Sequence, residues 1–136
     1  MVHLKVYQEA RKAIQEHKWL ESEKAGRDLG VEAERAWTES NWLRFYRARF
    51  VQHLRGKTFF EEFGPECFAL VPNRLSALSD LLDAILDRVQ DGAENLDLIC
   101  WARKQHLPRE QVLEILAALD INSRRLPPPV RFEEAQ

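Results

Sequence analysis

The sequence predicts an all-α fold: a compact helical bundle of five or six helices with a Phe-rich irregular connection and a flexible, Pro-rich C-terminal tail. Two observations carry this expectation. Apolar residues recur at helical spacing through most of the chain, and the stretches are ended by glycine, proline or capping residues. With 136 residues, 45% of them hydrophobic and 31% charged, the chain is apolar enough for one core and too charged for a membrane protein.

In residues 4–25, Val6, Tyr7, Ala10, Ala13, Ile14, His17 and Leu20 fall on one face of a first helix. Gly26 and Gly30 then predict a break. A short helix is expected over 31–37, followed by a longer one over 41–55 capped by Thr38 or Ser40 and stopped by Gly56. Residues 57–72 hold Phe59, Phe60, Phe63 and Phe68 among Gly64, Pro65 and Pro72, an irregular connection with room for one helical turn or a short strand at 67–71. Asn73 is the expected cap of a helix over 74–91 whose leucines share one face, and Asp91 and Gly92 stop it. Asn95 is the expected cap of the next helix, and Pro108 opens a last one with Val112, Leu113, Leu116 and Leu119 inward. The domain is thus placed at 1–122, with 123–136 as an extended or mobile tail.

Charge and motifs exclude several function classes. A net charge of -2 provides no overall field to gather nucleic acid or anionic lipid, so electrostatic binding must come from a local patch. Cys67 and Cys100 match no metal or redox spacing and read as reduced thiols, which with the lack of a leader-like apolar run points to a cytoplasmic location and no membrane span. His17 and Glu21 lie four apart as two metal ligands would, but no third ligand is near. The residues three before His17, His53 and His106 are Ile14, Phe50 and Arg103, so no Glu-x-x-His pair exists. No nucleophile, zinc or phosphate-loop motif occurs and no cofactor is implied, leaving an enzyme only as a site assembled by the fold from His17 or His53 with Cys67, Cys100 or several carboxylates.

His17-Lys18-Trp19, followed by Ser22-Glu23-Lys24-Ala25-Gly26-Arg27-Asp28-Leu29-Gly30, resembles a motif of uncharacterised bacterial proteins that also occurs C-terminally in a lipopolysaccharide-kinase-like family. The similarity covers residues 9–37 and implies a small bacterial helical module but no reaction, because the kinase motifs themselves are missing. Physically the motif reads as a joint between helices: Ser22 or Asp28 caps a broken end, and the glycines allow a tight turn. Trp19 lies off the face of Tyr7, Ile14 and Leu20. It either packs on a second side or stands exposed as a partner anchor.

Two charged stripes suggest partners. Arg44, Arg47 and Arg55 share one side of the 41–55 helix, opposite Trp42, Tyr46 and Phe50. Asp80, Asp83, Asp87 and Asp91 share one side of the next long helix at offsets of 0, 3, 7 and 11. If both helices bury their apolar sides in one core, the stripes meet only between molecules, which predicts self-association. The resulting expectation is a protein-interaction or assembly module with a protein partner or homo-oligomer. The alternative is nucleic-acid or anionic-surface binding through Arg44, Arg47, Arg49, Arg55 and Lys57. The helices around Leu107 and Pro108 read as a plain hairpin, since Glu110 and Glu114 are ill placed against phosphates.

Overall fold

Val6, Ala10 and Ile14 give the first helix a narrow apolar stripe, and it forms as α1 (Val6–Ala25) in a computed structural model that describes residues 2–129. Its N-terminus has no cap of its own. Glu62 supplies one from across the chain, its two carboxylate oxygens accepting the Val6 and Tyr7 N–H groups at 2.8 and 3.0 Å. Just before α1, strand β1 (Val2–Leu4) pairs in parallel with β2 (Thr58–Phe60), Val2 opposite Thr58. Sequence pattern placed a possible strand at 67–71 instead; those residues hold a turn and the start of a helix.

The short helix and the longer helix expected over 31–55 are one element, α2 (Val31–Leu54). Thr38 and Asn41 do not end it. Their side chains bond backward along the helix, Thr38 Oγ1 to the Glu34 carbonyl at 2.8 Å and Asn41 Nδ2 to the Trp37 carbonyl at 3.2 Å, leaving the backbone ladder unbroken.

The helix expected over 74–91 is instead split. Residues of α3 (Leu70–Arg74) contain Asn73, a 3-10 turn follows at Ser76–Leu78, and α4 (Ser79–Gln90) carries the leucine face inward. Leu75 leaves helical geometry at φ -120° and ψ 11°, which ends α3. After it come α5 (Asn95–Lys104), whose N-cap is Glu94 rather than Asn95, and α6 (Arg109–Leu119). In α6 the inward residues are Val112, Ile115, Leu116 and Leu119. Leu113, expected inside, is 39% exposed.

Residues of α1, α2 and α4 to α6 share one core with the Phe-rich connection. The all-α class and the six helices of the described residues agree with the sequence. Beyond the 3-10 turn Ile121–Arg124, residues 125–129 are extended, and they lie against the helices. Trp42 Nε1 donates to the Leu126 carbonyl at 2.9 Å and the Tyr7 hydroxyl to the Pro127 carbonyl at 2.7 Å, from two rings stacked 5.5 Å apart. The rest of the expected tail, 130–136, lies outside the described residues.

Arg47 departs furthest from expectation. It is fully buried, with Nη1 donating to the Val89 and Ala93 carbonyls at 3.1 and 2.8 Å and Nη2 to Glu94 Oε1 at 2.9 Å. Its charge neutralises the C-terminal end of α4 and the N-cap of α5 together. Arg47→Ala strands two carbonyls and a carboxylate, and unfolding in urea is expected to show a loss of about 3–5 kcal/mol.

Candidate functional site

Beyond Ile14, α1 has no buried residue, and between 15 and 36 only Ala33 is buried. The second half of α1 and the first turns of α2 therefore form a helical hairpin that leaves the core. At 1.5 Å per residue the 11 residues from Gln15 to Ala25 extend it by about 16 Å. Ala33 and Trp37 are buried on its inner side, and Lys18 bridges to Glu34 at 3.6 Å.

The joint closing the hairpin uses the residues of the HKW motif. Gly26 adopts φ 71°, its N–H and that of Arg27 bonding back to the Ser22 carbonyl at 2.9 and 3.2 Å to end α1. Ser22 Oγ then accepts the Leu29 N–H at 3.1 Å, and Asp28 Oδ1 accepts the Gly30 N–H at 3.0 Å. A Cβ at Gly26 or Gly30 would touch nothing, so these glycines are required by their positive φ and not by crowding.

Trp19 stands on this hairpin 62% exposed, and Leu20 and Val31 are exposed beside it. The indole borders an open depression of about 490 Å3 that runs from Gln15 along α1 to Arg27 and Asp28. Three of the hairpin's cations already face carboxylates of the chain: Lys18 with Glu34, Lys24 with Glu21, and Arg27 with Glu32. Of the two readings of Trp19, the second packing face does not form.

The arginine and aspartate stripes do not survive as opposed surfaces. Arg47 is buried, and Arg55 Nη2 binds Asp83 Oδ1 at 3.0 Å within one chain, because α2 and α4 pack side by side. The premise that the stripes meet only between molecules is therefore corrected. Arg44 remains exposed, as do Asp80, Asp87 and Asp91. Arg49 is held by Glu9 at 3.0 Å and lies 3.7 Å above the Phe45 ring. The basic helix thus keeps few of its five cations for an outside partner.

His53 has no free nitrogen for chemistry. Buried against Phe59, Phe63 and Phe68, it accepts the Phe60 N–H on Nδ1 at 3.0 Å and donates from Nε2 to the Gly64 carbonyl at 2.7 Å. Burial chiefly lowers its pKa from 6.5, and burial raises that of Cys67, whose thiol donates to the Phe63 carbonyl. Among the described residues no group of three or more His, Cys, Asp or Glu side chains is placed to hold a metal ion.

Sequence reasoning missed a second surface, between α5 and α6. Ile99, Ala102, Leu107, Val112 and Leu113 line a groove of about 330 Å3 edged by Arg103, His106 and Arg109. His106 sits at φ 55° where α5 ends, its N–H bonding to the Arg103 carbonyl and that of Leu107 to the Ala102 carbonyl, a position that normally takes glycine. The sequence reading placed Leu113 inward and so hid this surface; Leu96 and Leu113 are 70% and 39% exposed.

Comparison of the chain with family models, with curated proteins and with solved structures finds no match.

Two outcomes follow for stability. Because the native state holds His53 neutral, the unfolded chain binds more protons below pH 6.5, so stability is expected to fall as pH drops from about 6.5 towards the lower native value. His53→Gln should flatten that slope in thermal melts at stepped pH. His106→Gly, relieving a left-handed backbone, should stabilise by about 1 kcal/mol, read as a rise of a few degrees in Tm.

Proposed function

We propose that this protein is a protein-interaction or assembly module that engages its partner through the α1–α2 hairpin. The observation that carries the reading is Trp19, 62% exposed on the half of α1 that has no buried residue. An indole offers roughly 150–250 Å2, so covering the exposed part removes about 90–155 Å2 from water, a gross gain of about 2–4 kcal/mol.

Charge supports a protein over a phosphate backbone as the partner. The hairpin's cations at Lys18, Lys24 and Arg27 are matched by carboxylates, and Arg47, Arg49 and Arg55 of the basic helix are engaged inside the chain. Nucleic-acid affinity needs several unneutralised cations to release counterions, whereas an aromatic anchor on a neutral surface suits a protein interface. No described helix is long and apolar enough to cross a membrane. Within the motif, Ser22, Gly26, Arg27, Asp28, Leu29 and Gly30 all hydrogen-bond within the turn that follows Trp19, which suits a docking element built around it.

The test compares affinity capture from the native lysate by the wild-type chain and by Trp19→Ser. The variant changes an exposed side chain, so its Tm should stay within about 2 °C, while the captured partner, or self-association seen by sedimentation, should be lost. An unchanged set of partners and an unchanged mass would sink this reading.

A further inference from the structure

The groove between α5 and α6 differs in kind from the hairpin surface. Its floor is aliphatic, from Ile99, Ala102, Leu107, Val112 and Leu113, and Leu96 continues the exposed apolar line one turn earlier along α5. Its edge is cationic. Arg103, His106 and Arg109 line it, and Lys104 stands exposed beside Arg103. None of the ion pairs formed among the described residues uses any of these four groups, and no carboxylate lines the groove. Of the two α6 carboxylates, Glu110 stays out of the lining and Glu114 faces a different depression with Arg74 and Arg124.

Lys18, Arg49 and Arg55, by contrast, each face a carboxylate of the chain. The backbone reinforces the contrast. His106 holds φ 55° although glycine would fit better, and it lines the groove together with Arg103 and Arg109. We infer that the α5–α6 groove binds an acidic amphipathic segment of a partner protein, whose aliphatic side chains enter between Ile99 and Leu113 while its carboxylates meet Arg103 and Arg109. Arginine is suited to the second task because its planar fork bonds carboxylate with two parallel N–H groups. A phosphate backbone would use the cations but leave Leu96, Ile99 and Leu113 without partners. A small apolar ligand would do the reverse. Only a segment carrying both chemistries satisfies the whole surface.

This inference stands apart from the role of Trp19 and is tested separately. The probe is a fluorescein-labelled synthetic helix with leucines at i, i+3, i+4 and i+7 and glutamates on the flanks, titrated with the full chain and followed by anisotropy and by amide shifts in NMR. Binding in the micromolar range is expected, with shifts confined to residues 96–113. Arg103→Glu with Arg109→Glu should weaken it at least tenfold, and Leu113→Ser should weaken it as well. Trp19→Ser should leave it unchanged. Both sets of changes are on exposed side chains, and unaltered Tm values show that the variants fold. The inference is overturned by absence of binding up to 1 mM, by equal affinity for the same helix with lysines in place of glutamates, by shifts centred elsewhere, or by loss through the leucine change with none through the arginines. Tighter binding of a short DNA duplex than of the acidic helix at about 0.15 M salt also overturns it, in favour of a nucleic-acid surface.

Discussion

The rest of this structure depends on one buried guanidinium. Arg47 reaches from the middle of α2 to the Val89 carbonyl near the end of α4, the Ala93 carbonyl of the following turn and Glu94, the N-cap of α5. An isolated charge at such depth would be prohibitive, and it is tolerated because all of its reach ends on acceptors, one of them ionised. Glu94 is shared in turn with Arg125, so the same carboxylate that answers the buried charge also fixes the chain after α6. Three helices and the C-terminal extension are thereby registered against each other by directional bonds. Aliphatic packing alone would hold them together without fixing that alignment.

The division between core and hairpin follows from where apolar residues stop. In α1 the stripe of Val6, Ala10 and Ile14 ends halfway, and the remaining turns are polar or charged apart from Trp19, Leu20 and Ala25. α2 is long enough to serve both parts: its first turns pair with α1, and its later turns, from Trp42 to Leu54, line the core. The hairpin is held by one mixed seam and a hydrogen-bonded joint, so its exposed indole is presented on a rigid arm without cost to the packing beneath.

Much of the fold was legible in the sequence, and the lapses share a cause. Helical spacing and glycine stops identified α1, α4, α5 and α6 because these depend on local pattern. The continuity of α2 was not legible, since Thr38 and Ser40 look like caps, whereas the Thr38 hydroxyl bonds to the carbonyl four residues back. The cap on α1 was invisible because its carboxylate, Glu62, lies more than fifty positions away. The same limit misled the reading of Arg47. A helical wheel shows it opposite Trp42 and Phe50, and only the tertiary position of Val89, Ala93 and Glu94 turns that side inward. The motif at the joint was readable down to the roles of Ser22, Asp28 and the two glycines, because a turn is made by neighbours.

The stacked pair Tyr7 and Trp42 grips the backbone at Leu126 and Pro127 just where α1 begins. The start of α1 and the last described segment are therefore clasped by the same two rings. Loosening either ring would release both together, so the pair acts as a single latch.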